Sequence, residues 1–359
     1  MSANRIIIDT DIGTGAVLGG DPDDAIALAL AMNSPEIKLE GVTTVYRDAI
    51  PRARFAQKIL HLGGRDDIDV YPGLSETMLR NRPGGHTIDG LPWEAGRQDE
   101  GVDIGREWKG HAVDFMIKTI MDNPGEITLV ALGPLTNVAV AMVREPRIIQ
   151  HVKEIILMGG AHRLGGNGAG LNPAEANVKR DPEAASVVFS SQAPIVMVGL
   201  DVTMKVGFTQ NECDLLRKSG NPLNEMLANM VEQWFEVIRT KRPDIRQTGQ
   251  DKTHMQDPLA VSLLLNRSLV TTRKMKVTVE YDHRVGTGQT VAIAPEESIW
   301  LDLGNTRGNV EACIDVDSEA FRELLLEKLN CKNIDTAKRH LPFDRSSHTD
   351  DGILFGSAD

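Results

Sequence analysis

Carboxylates clustered beside an apolar run are the first chemically suggestive feature of this chain. Asp9-Thr10-Asp11 follows Ile6-Ile7-Ile8, and Asp21-Pro22-Asp23-Asp24 stands at the start of a helical pattern. Open parallel sheets place ligand sites outside the carboxyl ends of their strands. Asp9 and Asp11 fall there if residues 6–8 form a buried strand. Acids at a helix start are also favoured by its dipole and free N–H groups, so helix capping accounts for Asp21 to Asp24 as well as ligand binding does. A further acid, Asp257, lies in His254-Met255-Gln256-Asp257-Pro258-Leu259-Ala260, ahead of an apolar helical run. Taken alone, it too suits a cap. Asp9, Asp11 and the Asp21 to Asp24 group taken together point elsewhere: several carboxylates converging on one strand end repel each other unless a cation sits among them. Oxygen-only donors suit a hard ion such as Ca²⁺, which takes roughly 6–8 of them.

The elements that must position these acids alternate along the chain. Short apolar runs predict strands at 6–8, 38–46, 127–132, 154–158 and 194–198. Helical patterns predict helices over 23–31, 52–62, 135–143 and 182–189. Such alternation implies an α/β fold with an open, mainly parallel central sheet flanked by helices. Residues 223–239 read as a long helix, 276–281 with 290–293 as a hairpin or meander, and 318–329 as a closing helix. With no repeat and no low-complexity linker, a single domain over 1–331 is expected, followed by a polar C-terminal tail over 332–359.

Composition limits the partners. The 359 residues are 41% hydrophobic and 25% charged, ordinary globular usage, and the net charge of −12 argues against a nucleic-acid phosphate backbone. Cys213, Cys313 and Cys331 form no CxxC pair, and their odd count argues against a disulfide framework or cysteine zinc site. No run approaches the roughly 20 apolar residues of a membrane span, and the first apolar run is too short for a signal peptide. A cytoplasmic protein with no membrane partner is expected.

The ordered blocks IIIDTDIG, GGDPDDAIALAL, VALGPLTNVAVA, IILMGGA, PAEANVKRDPEAASVVF, PIVMVGLDVT and QDPLA resemble the inosine-uridine-preferring nucleoside hydrolase family, over roughly residues 5–329. The resemblance implies a Rossmann-related fold and cleavage of the N-glycosidic bond of ribonucleosides to ribose and free base. It implies Ca²⁺ held by Asp11, Asp24, Asp257 and the carbonyl of Leu132, with a Ca²⁺-held water as nucleophile and Asp11 or its neighbour as general base. Asp23, Glu175 and Asn177 resemble groups that grip ribose hydroxyls, with Met158 beside the sugar. A small nucleoside substrate, a place in purine or pyrimidine salvage and a homodimer or homotetramer are implied in the same way. The chemistry is coherent: an oxocarbenium-like state is expected for such a bond, and a carboxylate-assisted, metal-activated water is a suitable nucleophile at neutral pH.

Four departures from the family pattern stand out. The glycine-rich loop over 12–22 is longer than usual; it can bulge outward with the acids in place, or shift a metal role to Asp21. Tyr46-Arg47-Asp48 stands where a small residue, glycine and asparagine are common, leaving Asp48 to accept a sugar hydroxyl. Ala176 replaces an aromatic, and the family's preceding asparagine corresponds to Asn172 or Asn167. Gln256 takes the place of a histidine that helps the base leave, and glutamine can donate a hydrogen bond but not deliver a proton. His86 and His254 are the candidate substitutes, and Trp93 and Trp234 are candidate stacking surfaces for a base.

Two other readings compete. Asp9-Thr10-Asp11-Ile12-Gly13-Thr14 resembles the nucleophile motif of haloacid-dehalogenase-like phosphatases, with Asp9 attacking a phosphate, but leaves the GPLTN and AEAN blocks unexplained. The departures also fit a nucleoside- or ribose-binding homologue that has lost turnover. The GxGxxxG run over 13–19 lacks the spacing of a dinucleotide fingerprint.

Overall fold

In the computed structural model, residues 3–15, 20–79, 106–163, 174–241, 252–282, 286–294 and 310–330 are described. The chain opens with β1 (Asn4–Thr10), α1 (Asp23–Met32), β2 (Ile37–Thr44), α2 (Ala49–Leu62) and β3 (Val70–Pro72). It continues through α3 (Ala112–Asp122), β4 (Ile127–Ala131), α4 (Thr136–Arg144), α5 (Ile148–His151), β5 (Glu154–Met158), α6 (Ala176–Arg180), α7 (Pro182–Ser190) and β6 (Ile195–Val198). There follow α8 (Leu200–Thr203), β7 (Gly207–Thr209), α9 (Gln210–Lys218), α10 (Pro222–Lys241), β8 (Lys252–His254) and α11 (Gln256–Ser262). The described elements end with β9 (Val270–Val279), β10 (Thr290–Ile293), β11 (Val310–Val316) and α12 (Ser318–Lys328).

A nine-stranded sheet runs in the order β10-β9-β11-β6-β5-β4-β1-β2-β3. Every pairing from β11 to β3 is parallel, and near one edge β9 alone runs against the other strands, pairing antiparallel with both β11 and β10. The mainly parallel sheet flanked by helices is as the alternating pattern predicts. Ile6, Ile7 and Ile8 of β1 are all fully buried, as a strand covered on both faces requires. The pleat still divides them. Ile6 and Ile8 join one core with α1, α2 and the C-terminal helices α8 to α12; Ile7 joins the other with α3, α4, α5 and α7. Helix α1 is buried along its whole length, which explains its nearly all-apolar sequence.

The chain moves from β1 out to β2 and β3, then returns so that β4 pairs on the other side of β1. That reversal opens a crevice at the carboxyl ends of β1 and β4, where such sheets bind ligands. A second route brings in the far end of the sequence. The antiparallel pair β7–β8 and the 2.9 Å bond from Met255 N to Val206 O set the start of α11, which packs on α1.

Several boundaries differ from the sequence expectation. Strand β2 ends at Thr44, not at residue 46, because Tyr46 and Arg47 turn to positive φ (71° and 51°). The expected hairpin is present, but β9 starts at Val270 and joins the main sheet through β11, which the sequence reading missed along with β3 and α3. The glycine-rich loop is pinched at its base: Gly15 N donates to Gly20 O across 2.7 Å, and a Cβ on Gly13 would lie 2.4 Å from Gly20 Cα. Gly15 has φ +79°, and a Cβ there would lie 2.3 Å from the Met230 carbonyl oxygen. The inserted residues thus leave and return at one point, and Asp11 and Asp23 stay together. Among the described residues, no helix is long and apolar enough to cross a membrane.

Candidate active site

A cleft opens at this crevice, lined by Asp11, Asp21, Asp23, Asp24, Leu132, Met158, Glu175, Ala176, Asn177, Arg180, Gln256 and Asp257. The structure therefore brings together the candidates Asp11, Asp23, Asp24, Leu132, Met158, Glu175, Asn177, Gln256 and Asp257. Asp48 is not among the lining residues; it sits half-buried at the N-terminus of α2 without a side-chain capping bond. His86, Trp93, Asn167 and Asn172 lie outside the described residues, as does the 332–359 tail. Trp234 is buried in α10.

Carboxylate oxygens of Asp23, Asp24 and Asp257 lie within 4.8 Å of one another, and all three residues are buried. Asp257 N also donates to Asp23 Oδ2 across 3.3 Å. Asp24 is fixed by a short bond from the Thr10 hydroxyl. Burial, and then the neighbouring acids, push Asp23 and Asp257 well above the ordinary carboxylate range; burial followed by Asp11 pushes Asp24 up to about 8. Such a cluster is costly as bare anions and suited to a hard divalent cation. The donor set fits: Asp11 and the Leu132 carbonyl add oxygens in the same cleft. The tight trio includes Asp23, which the family resemblance assigns to the sugar.

Glu175 and Asn177 sit where α6 begins. Glu175 is the N-cap, its oxygens accepting from Asn177 N (2.8 Å), Val178 N (3.0 Å) and Gly160 N (3.1 Å). Burial raises its pKa against these bonds. Glu175 thus caps α6 and also lines the cleft. Asn177 Nδ2 donates to Leu132 O (2.7 Å) and Met158 O (3.2 Å), joining the ends of β4 and β5.

Asp9 has a different place from Asp11. Its Oδ1 accepts from Thr43 Oγ1 (2.7 Å) and Asn137 Nδ2 (2.8 Å), and it is fully buried beneath the cleft. Burial raises its pKa to about 7 despite these two bonds. Asp9 does not line the cleft, which removes it as the phosphate-attacking nucleophile of the phosphatase reading.

Sequence reasoning missed the cations and the buried amide. Arg180 Nη1 donates to Asp11 Oδ2 (2.7 Å) and Asn177 Oδ1 (3.2 Å). Arg52, fully buried in α2, approaches Asp11 Oδ2 to 4.0 Å and donates to the carbonyls of Ile12 (2.9 Å) and Tyr46 (3.1 Å). Asn137 ties Asp9 to the Thr44 carbonyl (2.9 Å) and accepts from Leu74 N (2.9 Å). Of these, Asn137 and Arg180 carried a signal only as members of the GPLTN and PAEANVKRDPEAASVVF blocks, and Arg52 carried none. His254 is half-buried, and its desolvation lowers its pKa to about 4.

Comparison with known proteins is consistent in both sequence and shape. Residues 6–323 match the family model described as inosine-uridine preferring nucleoside hydrolase. An uncharacterized protein of Schizosaccharomyces pombe is 35% identical over 338 residues, covering 90% of this chain and 98% of that protein. The pyrimidine-specific ribonucleoside hydrolase RihA of Citrobacter koseri is 32% identical over 317 residues, covering 86% and 94%. Among solved structures, a plant nucleoside hydrolase superposes with a TM-score of 0.75 at 30% identity, covering 91% of this chain and 99% of the other. The purine-preferring ribonucleoside hydrolase from Gardnerella vaginalis gives a TM-score of 0.76 at 28% identity, covering 91% and 98%.

Proposed function

Because this chain belongs to the inosine-uridine preferring nucleoside hydrolase family, and so is a hydrolase of N-glycosyl bonds, we propose that it cleaves ribonucleosides to ribose and free base in the cleft at the ends of β1 and β4, with Ca²⁺ as cofactor. The observation that carries this reading is the meeting of Asp23 and Asp24 with Asp257, from opposite ends of the sequence, within 4.8 Å. Asp11, Asp24, Asp257 and the Leu132 carbonyl hold the ion. When bound, it supplies Lewis acidity that makes water a stronger acid and so a better nucleophile.

The remaining chemistry belongs to side chains. Asp11 accepts the proton of the attacking water. Asp23 and Glu175 accept ribose hydroxyl hydrogens; Glu175 Oε1 has a second lone pair beyond its bond from Asn177 N, whereas Oε2 already accepts from Val178 N and Gly160 N. Asn177 fixes the β4 and β5 ends that border the sugar, and Met158 packs beside it. As the N-glycosidic bond breaks, positive charge develops on the ribose, and the surrounding carboxylates are already oriented to stabilise it. Gln256 offers its amide N–H to the departing base. Residues 1–331 act as one catalytic unit, and the family resemblance adds a homodimer or homotetramer, which light scattering checks.

The test is release of free base from a panel of purine and pyrimidine ribonucleosides, after chelation and with Ca²⁺ restored. Ca²⁺-dependent release supports the reading. Binding of nucleoside or ribose without release would replace it with that of a binding protein.

A further inference from the structure

One guanidinium nitrogen touches both halves of the site. Arg180 Nη1 lies 2.7 Å from Asp11 Oδ2 and 3.2 Å from Asn177 Oδ1. Its Cζ sits 5.2 Å from the centroid of the Tyr46 ring, within cation–π range. Tyr46 is held in a conformation that bulky residues avoid (φ 71°), and the next residue, Arg47, shares it (φ 51°). Three bonds maintain that turn: Tyr46 N donates to Leu74 O (2.8 Å), Arg47 N to Ser75 O (2.7 Å), and Arg52 Nε to Tyr46 O (3.1 Å). Arg52 in turn faces the same Asp11 oxygen from 4.0 Å. Strained backbone of this kind clusters at sites where a side chain must be aimed, and here the turn aims the ring at Arg180.

Resting on the proposed reaction, we infer that Arg180, backed by Tyr46, is a positioning residue that holds the water-activating Asp11 and the Asn177 amide in a common geometry, at the expense of cation affinity. Arg180 is a permanent cation on one Asp11 oxygen, inside a cleft shielded from solvent. A divalent ion taking Asp11 as a ligand is therefore repelled by the guanidinium while it is attracted by the acids. A group present only to keep the fold intact has no such opposed effects: its loss weakens metal binding and turnover together.

The test uses the full-length protein with Arg180→Ala, Arg180→Lys and Tyr46→Asn. Metal binding is read by calorimetric titration of the chelated protein with Ca²⁺ alone, turnover by base release, and folding by thermal melting. Arg180→Ala is expected to bind Ca²⁺ about tenfold more tightly and to lose about 100-fold in kcat, with KM changed less. Arg180→Lys keeps the charge without the planar fork, so its Ca²⁺ affinity stays near the parent's and part of kcat returns. Tyr46→Asn removes the ring while suiting the positive φ, so it lowers kcat without lowering the melting temperature. Weaker Ca²⁺ binding together with lost turnover in Arg180→Ala, or unchanged kcat in either Arg180→Ala or Tyr46→Asn, overturns the inference. Failure of the parent to release base from any nucleoside is a different result, and it overturns the proposed function instead.

Discussion

Asn177 donates its amide to the Leu132 carbonyl oxygen across 2.7 Å, so a side chain assigned to the sugar and a main-chain oxygen assigned to the cation are directly bonded. The same Nδ2 reaches the Met158 carbonyl at 3.2 Å. Two strand ends thus depend on one amide for a donor. Asn177→Leu has similar volume but no donor, and strands buried acceptors. Each buried unsatisfied group costs about 1–3 kcal/mol. The variant should lose about 2–4 kcal/mol in urea unfolding and most of its base-release activity. A stability change under about 0.5 kcal/mol, the size of an ordinary surface substitution, would show that the bond matters little.

The acid trio makes a prediction with two signs. Without a cation, Asp23, Asp24 and Asp257 oppose one another in a buried site. Asp257→Asn removes the cost of burying that acid beside the other two at nearly constant shape, so the chelated variant should melt above the chelated parent. Ca²⁺ should then raise the parent's melting temperature and leave the variant's unchanged. A ligand at 1,000 times its Kd stabilises by about 4 kcal/mol, which is easily seen. Equal Ca²⁺-induced shifts in parent and Asp257→Asn, or undiminished turnover in Asp257→Ala, would remove Asp257 from the metal site.

His254 predicts an acid-side stability slope. Burial first, and then Lys252, lower its folded pKa to about 4 from 6.5. In the unfolded chain His254 binds a proton below its ordinary pKa, while in the folded chain it resists until near pH 4. Its contribution is fully present above about pH 6.5 and drains as pH falls from there towards 4, where the unfolded state holds more protons. Over that window the loss is about 3 kcal/mol. Urea unfolding between pH 4.5 and 7.5 should show a steeper decline in the parent than in His254→Gln. Parallel curves would contradict the burial argument.

The parts of this site legible in the sequence were those encoded by type and local position. Asp11 ends a strand, Asp24 begins a helix and Asp257 opens another. Knowing where parallel sheets bind ligands places Asp11, whereas Asp24 and Asp257, each of which also suits a helix cap, were assigned through the family resemblance. The parts not legible depend on contacts between distant segments. Nothing around Arg180 says that it meets Asp11, 169 positions away. Arg52 sits in an ordinary amphipathic helix pattern, and only the fold reveals it as fully buried beneath Asp11. Tyr46 and Arg47 extend a β-like run in sequence, and their positive φ follows from tertiary bonds to Leu74, Ser75 and Arg52 rather than from propensity. The edge of the sheet was obscure for a related reason: β11 mixes Glu311 and Asp315 with apolar residues, so its strand character rests on its partners β6 and β9.

Gln256 lines the cleft next to Asp257, and its amide can donate a hydrogen bond but cannot release a proton near neutral pH. His254, two residues earlier, is neutral at pH 7 because burial lowers it to about 4, so it cannot act as the acid there. An enzyme arranged in this way should show no acid limb in the histidine range of its kcat profile, and should favour nucleosides whose base leaves readily. General acid catalysis contributes about 10²–10⁴ in rate where it operates, so Gln256→His should speed poor leaving groups most. An increase of about tenfold in kcat for inosine or uridine, with a new limb near the ordinary histidine pKa of about 6.5, is the expected outcome. The decisive measurement is a pH–rate series on the parent, Gln256→His, His254→Ala and His86→Ala. A limb near pH 6.5 already present in the parent and lost only in His86→Ala would transfer the acid role to His86. No gain in Gln256→His for any substrate would mean that position 256 does not face the departing base.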